Sequence, residues 1–151
     1  SMDASSEIPE GDFTVPIGQG VVRREGSDVT LIGHLLMMHH CLLAADQLSA
    51  EGISCEVIDP RSLWPLDLPL ILASVRKTGR VVLVEESPRQ GGVGAEIAAQ
   101  IAEAVPDCLL APVTRVAAPN TPAPFAPALE KLYVPQPERI AEAARRLVRE
   151  F

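Results

Sequence analysis

The feature that most constrains this chain is an alternation of short β-branched runs with apolar residues at helical spacing. Residues 28–33 (DVTLIG) read as a buried strand, and Met38, Leu42, Ala45 and Leu48 then recur at helical intervals until Gly52 stops the pattern. Residues 55–58 (CEVI) read as a second strand, after which Asp67 is placed to cap a helix carrying Ile71, Leu72 and Val75 and ended by Gly79. A third strand is expected at 80–84 (RVVLV), followed by one apolar stripe through Val93, Ile97, Ile101 and Val105 that stops at Pro106. Residues 113–117 form a fourth strand. The Pro-rich stretch 119–137 suits neither helix nor central strand, and a last helix follows with Ile140, Ala144, Leu147 and Phe151 on one face. Residues 21–24 add an edge strand. Strands apolar on both faces and separated by helices imply an α/β domain of three layers: a mostly parallel open sheet of about five strands with helices on both faces.

Composition narrows the class. A chain of 151 residues is about one domain long, and 47% hydrophobic residues with only 3% aromatics require an aliphatic core. Thirteen basic residues against 20 acidic ones leave a net charge of −7, which repels phosphate backbones and anionic lipid heads, so neither nucleic acid nor membrane is an expected partner. No apolar run reaches the roughly 18 residues of a spanning helix, and no basic segment precedes an apolar one at the start, so a soluble cytoplasmic protein is expected. Cys41, Cys55 and Cys108 are odd in number and set in apolar sequence, as reduced thiols are. Ser1-Met2 has the look of a pair left by tag removal; residues 1–14 are expected to be tag remnant and linker, and 15–151 the domain.

Few residues suggest chemistry. Gly91, Gly92 and Gly94 sit between the third strand and a helix, where backbone N–H groups can receive an anion. The third glycine of a GxGxxG motif falls on Ile97, however, and Glu85 and Glu86 at the strand end oppose a pyrophosphate. A tight turn with close helix packing is the plainer reading, with a subunit contact as the other. In Met37-Met38-His39-His40-Cys41, neighbouring side chains point about 100° apart and do not converge on one metal. His34 ends a strand at the edge where open α/β sheets hold ligands, and is a candidate ligand-edge residue or a structural histidine. Arg145 and Arg146 read as solvated residues complementing a helix dipole. No catalytic, cofactor-binding or metal-binding set is evident.

Three ordered blocks go further. Residues 44–67 (AADQLSAEGISCEVIDPRSLWPLD), 74–101 (SVRKTGRVVLVEESPRQGGVGAEIAAQI) and 111–135 (APVTRVAAPNTPAPFAPALEKLYVP) resemble the C-terminal domain of the beta subunit of thiamine-diphosphate-dependent 2-oxo acid dehydrogenases. This is the pyruvate, branched-chain 2-oxo acid and acetoin dehydrogenase family, with a transketolase C-terminal type of domain. Three positions depart from the family pattern: Gly33-His34-Leu35-Leu36 replaces a polar stretch with Ser and Arg, Phe125 a usual Tyr, and Trp64 a smaller or polar residue.

The resemblance implies a non-catalytic assembly domain. It binds no cofactor itself, whereas the intact enzyme uses thiamine diphosphate and magnesium held elsewhere. Expected partners are the N-terminal domain of the same beta subunit, the alpha subunit, a second beta subunit and the subunit-binding domain of the acyltransferase. Gly91, Gly92, Gly94 and Phe125 become candidates for the subunit interface, and Glu138, Glu142, Glu150 and the carboxylate of Phe151 for acyltransferase docking. The alternatives are the equivalent domain of another thiamine enzyme, such as transketolase or deoxyxylulose-phosphate synthase, and a stand-alone small-ligand-binding α/β module.

Overall fold

The computed structural model describes residues 18–119 and 134–151. In chain order the elements are β1 (Val21–Arg24), β2 (Val29–Gly33), α1 (Leu36–Ser49), β3 (Cys55–Asp59), α2 (Leu68–Thr78), β4 (Val81–Pro88) and α3 (Val93–Ala104). A short 3-10 turn (Pro106–Cys108), β5 (Thr114–Ala118) and α4 (Pro137–Glu150) complete it.

The five strands form one sheet in the order β1-β3-β2-β4-β5. β2 pairs in parallel with β3 (Leu31 opposite Val57) and with β4 (Leu31 opposite Val82), β4 pairs in parallel with β5, and only β1 runs antiparallel. Alternate strand residues feed two cores. Leu31, Val57, Val82, Val84 and Val116 pack with α1 and α4 on one face; Ile32, Ile58, Val81 and Leu83 pack with α2 and α3 on the other. Both faces are therefore buried, as the apolar strand sequences require.

Local sequence accounts for the element ends. The Asp67 carboxylate accepts a hydrogen bond from the backbone N–H of Leu70 at 3.2 Å and so caps α2, while Gly79 closes it at φ 70°, with its N–H bonded to the carbonyl of Val75. One polar group of β2 is also accommodated inside: Thr30 Oγ1 lies 2.7 Å from both Ser74 Oγ and Thr78 Oγ1 of α2, so three buried hydroxyls satisfy one another.

Three expectations need correction. β4 runs four residues beyond 84, because past Val84, which pairs with Gly33 at the end of β2, only β5 borders it, and its exposed half accommodates Glu86, Ser87 and Pro88. The buried face of α1 is broader than the expected stripe and, besides Met38 and Cys41, takes in Met37 and Ala44, since α4 lies against the same helix. Phe151 does not share the buried face of α4: it lies beyond the helix and is exposed, and its carbonyl accepts a hydrogen bond from Arg80 at 2.9 Å.

Candidate functional site

The chain leaves β2 through α1 on one face of the sheet and leaves β4 through α3 on the other. Adjacent strands whose connections diverge in this way open a crevice at their carboxyl ends, the usual ligand position in open α/β sheets. A cleft of about 140 Å³ lies there. Gly33 at the end of β2, with His34 and Leu35 after it, forms one wall, Glu85, Glu86 and Ser87 of β4 the other, with Val93 and Gly94 of α3 and Leu63 of the β3–α2 loop completing it.

Glu85 dominates this cleft. Its Oε2 accepts a hydrogen bond from the backbone N–H of Gly94 at 2.7 Å, in the first turn of α3. A Cβ on Gly92 would stand 2.3 Å from Glu85 Oε1, and one on Gly94 would stand 3.1 Å from the same carboxylate. The glycines therefore make room for the protein's own anion. Gly91 adds the turn, at φ 74°. The helix N-terminus that receives phosphate in dinucleotide-binding folds is filled by a carboxylate, with Glu86 beside it. A diphosphate does not fit these residues.

His34 lies where the sequence places it, at the rim, with its side chain 29% exposed. Its Nδ1 is 3.8 Å from Asp59 Oδ1, too far for a hydrogen bond, and Asp59 instead accepts from the N–H of Arg61 at 2.8 Å. The other two histidines stand apart from it. His39 is exposed, while His40 Nδ1 donates to the carbonyl of Pro135 at 2.7 Å and ties α1 to the segment before α4. Among the described residues no three His, Cys, Asp or Glu side chains are grouped to hold a metal ion, and no helix is long and apolar enough to cross a membrane. Cys41 and Cys55 are buried thiols and Cys108 is half-buried; burial pushes Cys55 up to about 12 and Cys41 higher still.

The sequence candidates on α4 do not line the cleft. Glu138, Glu142 and Glu150 are all exposed on α4, but the helix also carries Arg139, Arg145, Arg146 and Arg149, so its outer surface is mixed in charge rather than acidic. Glu150 pairs with Arg146 at 2.8 Å. Arg145, read from sequence as merely solvated, forks onto Glu51 at 2.8 and 2.6 Å, and Arg149 joins the same carboxylate at 3.1 Å. The Arg145 hydrogen bonds hold Glu51 below its ordinary carboxylate value. Phe125 lies outside the described residues, so the proposed grouping of Phe125 with the glycine turn has no geometry here. Sequence reasoning also missed a buried carboxylate and its cation: Glu56, in the interior of β3, meets the half-exposed Lys77 of α2 and accepts from the N–H of Gly26 at 3.1 Å. A charged residue inside an otherwise apolar strand was the available signal.

Topology and cleft together define a doubly wound α/β domain. The family of the transketolase C-terminal domain matches residues 18–140, and the chain belongs to that family. It is 43% identical to the pyruvate dehydrogenase E1 component subunit beta of Bacillus subtilis, covering 94% of this chain and 43% of the relative. Identity is 47% with the mitochondrial beta-2 subunit of the same component from Oryza sativa subsp. japonica, covering 97% and 39%. With the acetoin:2,6-dichlorophenolindophenol oxidoreductase subunit beta of Cupriavidus necator it is 41%, covering 95% and 42%. The chain thus spans about two fifths of the length of these curated relatives. Among solved structures it is similar to a split-gene transketolase described as an inactive beta4 tetramer, at TM-score 0.75 and 34% identity, covering 91% of this chain and 43% of that one. A 2-oxoglutarate:ferredoxin oxidoreductase from Magnetococcus marinus, at TM-score 0.56 and 16% identity, covering 87% and 19%, shares the fold alone.

Proposed function

We propose that this chain is the C-terminal domain of the beta subunit of a thiamine-diphosphate-dependent 2-oxo acid dehydrogenase, and that its work is assembly rather than chemistry. The observation that carries the second half is the Glu85 carboxylate on the N-terminus of α3, which occupies the anion position the fold otherwise offers to a cofactor. The relatives' names and the match to about two fifths of their length support the first half. In this reading thiamine diphosphate and magnesium belong to the alpha subunit and the N-terminal part of beta, and the intact protein is a cytoplasmic oxidoreductase.

Four contacts follow from the same reading: the beta subunit's own N-terminal domain, the alpha subunit, a second beta subunit and the acyltransferase's subunit-binding domain. The turn at Gly91, Gly92 and Gly94 with Phe125 is our proposed subunit contact, and Glu138, Glu142, Glu150 and the end of Phe151 our proposed docking site. Because Glu150 is already paired with Arg146, Glu138 and Glu142 carry most of the charge attraction for a cationic partner. His34 remains a proposed ligand-edge residue.

A second reading is favoured by one observation, the likeness to a split-gene transketolase at 34% identity. It assigns the same assembly role within a transketolase. Titration calorimetry with thiamine diphosphate and magnesium tests the division of labour. The 151-residue chain is expected to give no saturable heat, and micromolar binding would overturn the assembly reading.

A further inference from the structure

Two arginines of this chain line one pocket without an acid between them. Arg115 of β5 donates from its guanidinium to the carbonyl of Arg89 at 3.1 Å, and the N–H of Arg89 donates to the carbonyl of Ala118 at 3.2 Å, so the turn after β4 and the end of β5 are fixed against each other. Both residues, with Gln90 and Gly91, line a pocket of about 400 Å³, a volume typical of small-ligand sites. It shares no lining residue with the cleft at Glu85. Gly91 turns the chain at φ 74°, and a Cβ there would meet nothing within 4 Å, so the space over it is open.

Elsewhere the chain brings two arginines together over a carboxylate: Arg145 and Arg149 share Glu51 at 2.6 and 3.1 Å. At the pocket no Asp or Glu among the described residues pairs with Arg89 or Arg115, and the Arg89 side chain makes no hydrogen bond among them. Guanidinia that share a cavity repel each other unless an anion lies between them. A planar carboxylate is satisfied by one guanidinium fork, whereas a phosphate monoester carries a charge of about −1.5 to −2 and three acceptor oxygens, which suit two forks arriving from different residues. The net charge of −7 over the whole chain repels a polyanion, so the match is to a single phosphate group on a small molecule.

We propose that the pocket between Arg89 and Arg115 binds the phosphate group of a small phosphorylated metabolite. The pocket belongs to this chain whichever thiamine enzyme the domain serves. Inorganic phosphate is the probe, titrated at constant ionic strength into the 151-residue chain while the amide of Gly91 and the Nε–H groups of Arg89 and Arg115 are followed by nuclear magnetic resonance. One saturating curve shared by these signals is expected, with half-saturation at about 1 mM. Sulfate should follow the same curve, and acetate should bind at least about tenfold more weakly. Shifts that grow linearly with phosphate, or that acetate reproduces at the same concentrations, would overturn the site. Arg89→Gln is expected to weaken phosphate about tenfold, the loss of one charge-assisted contact. Because the Arg89 side chain makes no hydrogen bond or ion pair among the described residues, the melting temperature of that variant in phosphate-free buffer should match the parent's. Undiminished affinity in Arg89→Gln would equally overturn the proposal. Millimolar phosphate binding is distinct from the micromolar thiamine diphosphate binding that would overturn the assembly reading, so the two tests fail separately.

Discussion

Glu85 Oε2 accepts the backbone hydrogen of Gly94 at 2.7 Å, so β4, at the point where it leaves the core, and the first turn of α3 are joined by a charge-assisted bond. The bond makes the local requirement for glycine specific. Gly92→Ala would place a methyl 2.3 Å from Glu85 Oε1 and 2.7 Å from the carbonyl of Pro88, and is expected to destabilise the fold by about 2–3 kcal/mol. At Gly94 the approach is 3.1 Å and the helical gain of alanine, about 1 kcal/mol, offsets most of the strain. Urea unfolding of the two variants should therefore rank Gly92→Ala well below Gly94→Ala, and equal midpoints would contradict the packing role given to Glu85.

The ion pair of Glu56 with Lys77 should appear in the pH dependence of stability. Burial raises the Glu56 carboxyl, but the hydrogen bonds from Lys77, Ser74 and the N–H of Gly26, with the charge of Lys77, outweigh it and leave the group below its ordinary value. A carboxyl depressed in the folded state stabilises the fold above its unfolded pKa, and that contribution is lost as pH falls through the folded value. Glu56→Gln is accordingly expected to narrow its stability deficit relative to the parent from about pH 5 downward. Lys77→Ala, which leaves a buried carboxylate without its cation, should cost about 2 kcal/mol near neutral pH. Chemical unfolding at several pH values checks both, and a deficit for Glu56→Gln that grows on acidification would reverse the sign of the argument.

Thiol reactivity should separate the cysteines. With Cys55 pushed up to about 12 and Cys41 higher by burial, neither forms appreciable thiolate near neutral pH, and both are enclosed in the core between α1 and the sheet. Cys108, half-buried in the short turn after α3, is expected to react first with a disulfide reagent in the native protein, the other two only on unfolding. Three thiols titrating together under native conditions would contradict the core packing.

Much of the fold is legible in the sequence because it is local. The Val93, Ile97 and Ile101 stripe, the Asp67 cap and the Gly79 stop depend on neighbours within a few residues, and each lies where periodicity and capping chemistry put it. The site is less legible because its interactions cross the chain. Arg145 finds Glu51 from 94 residues away, and Thr30 finds Ser74 and Thr78 across 44 and 48 residues. Glu85 and Gly94 are only nine residues apart, yet the bond depends on how far β4 runs before it turns, and β4 outlasts its β-favouring residues. Even the end of the sheet at which the chain enters follows from β1 pairing antiparallel with β3, a choice that spacing alone leaves open.

The assembly role is tested most directly by sedimentation of the alpha subunit with the natural longer beta chain, with and without the residues from 15 onward. The account gives a heterotetramer when this domain is present and smaller, dissociating species when it is deleted, while the remaining beta segment stays folded by circular dichroism. A heterotetramer of undiminished stability formed without residues 15–151 would contradict it.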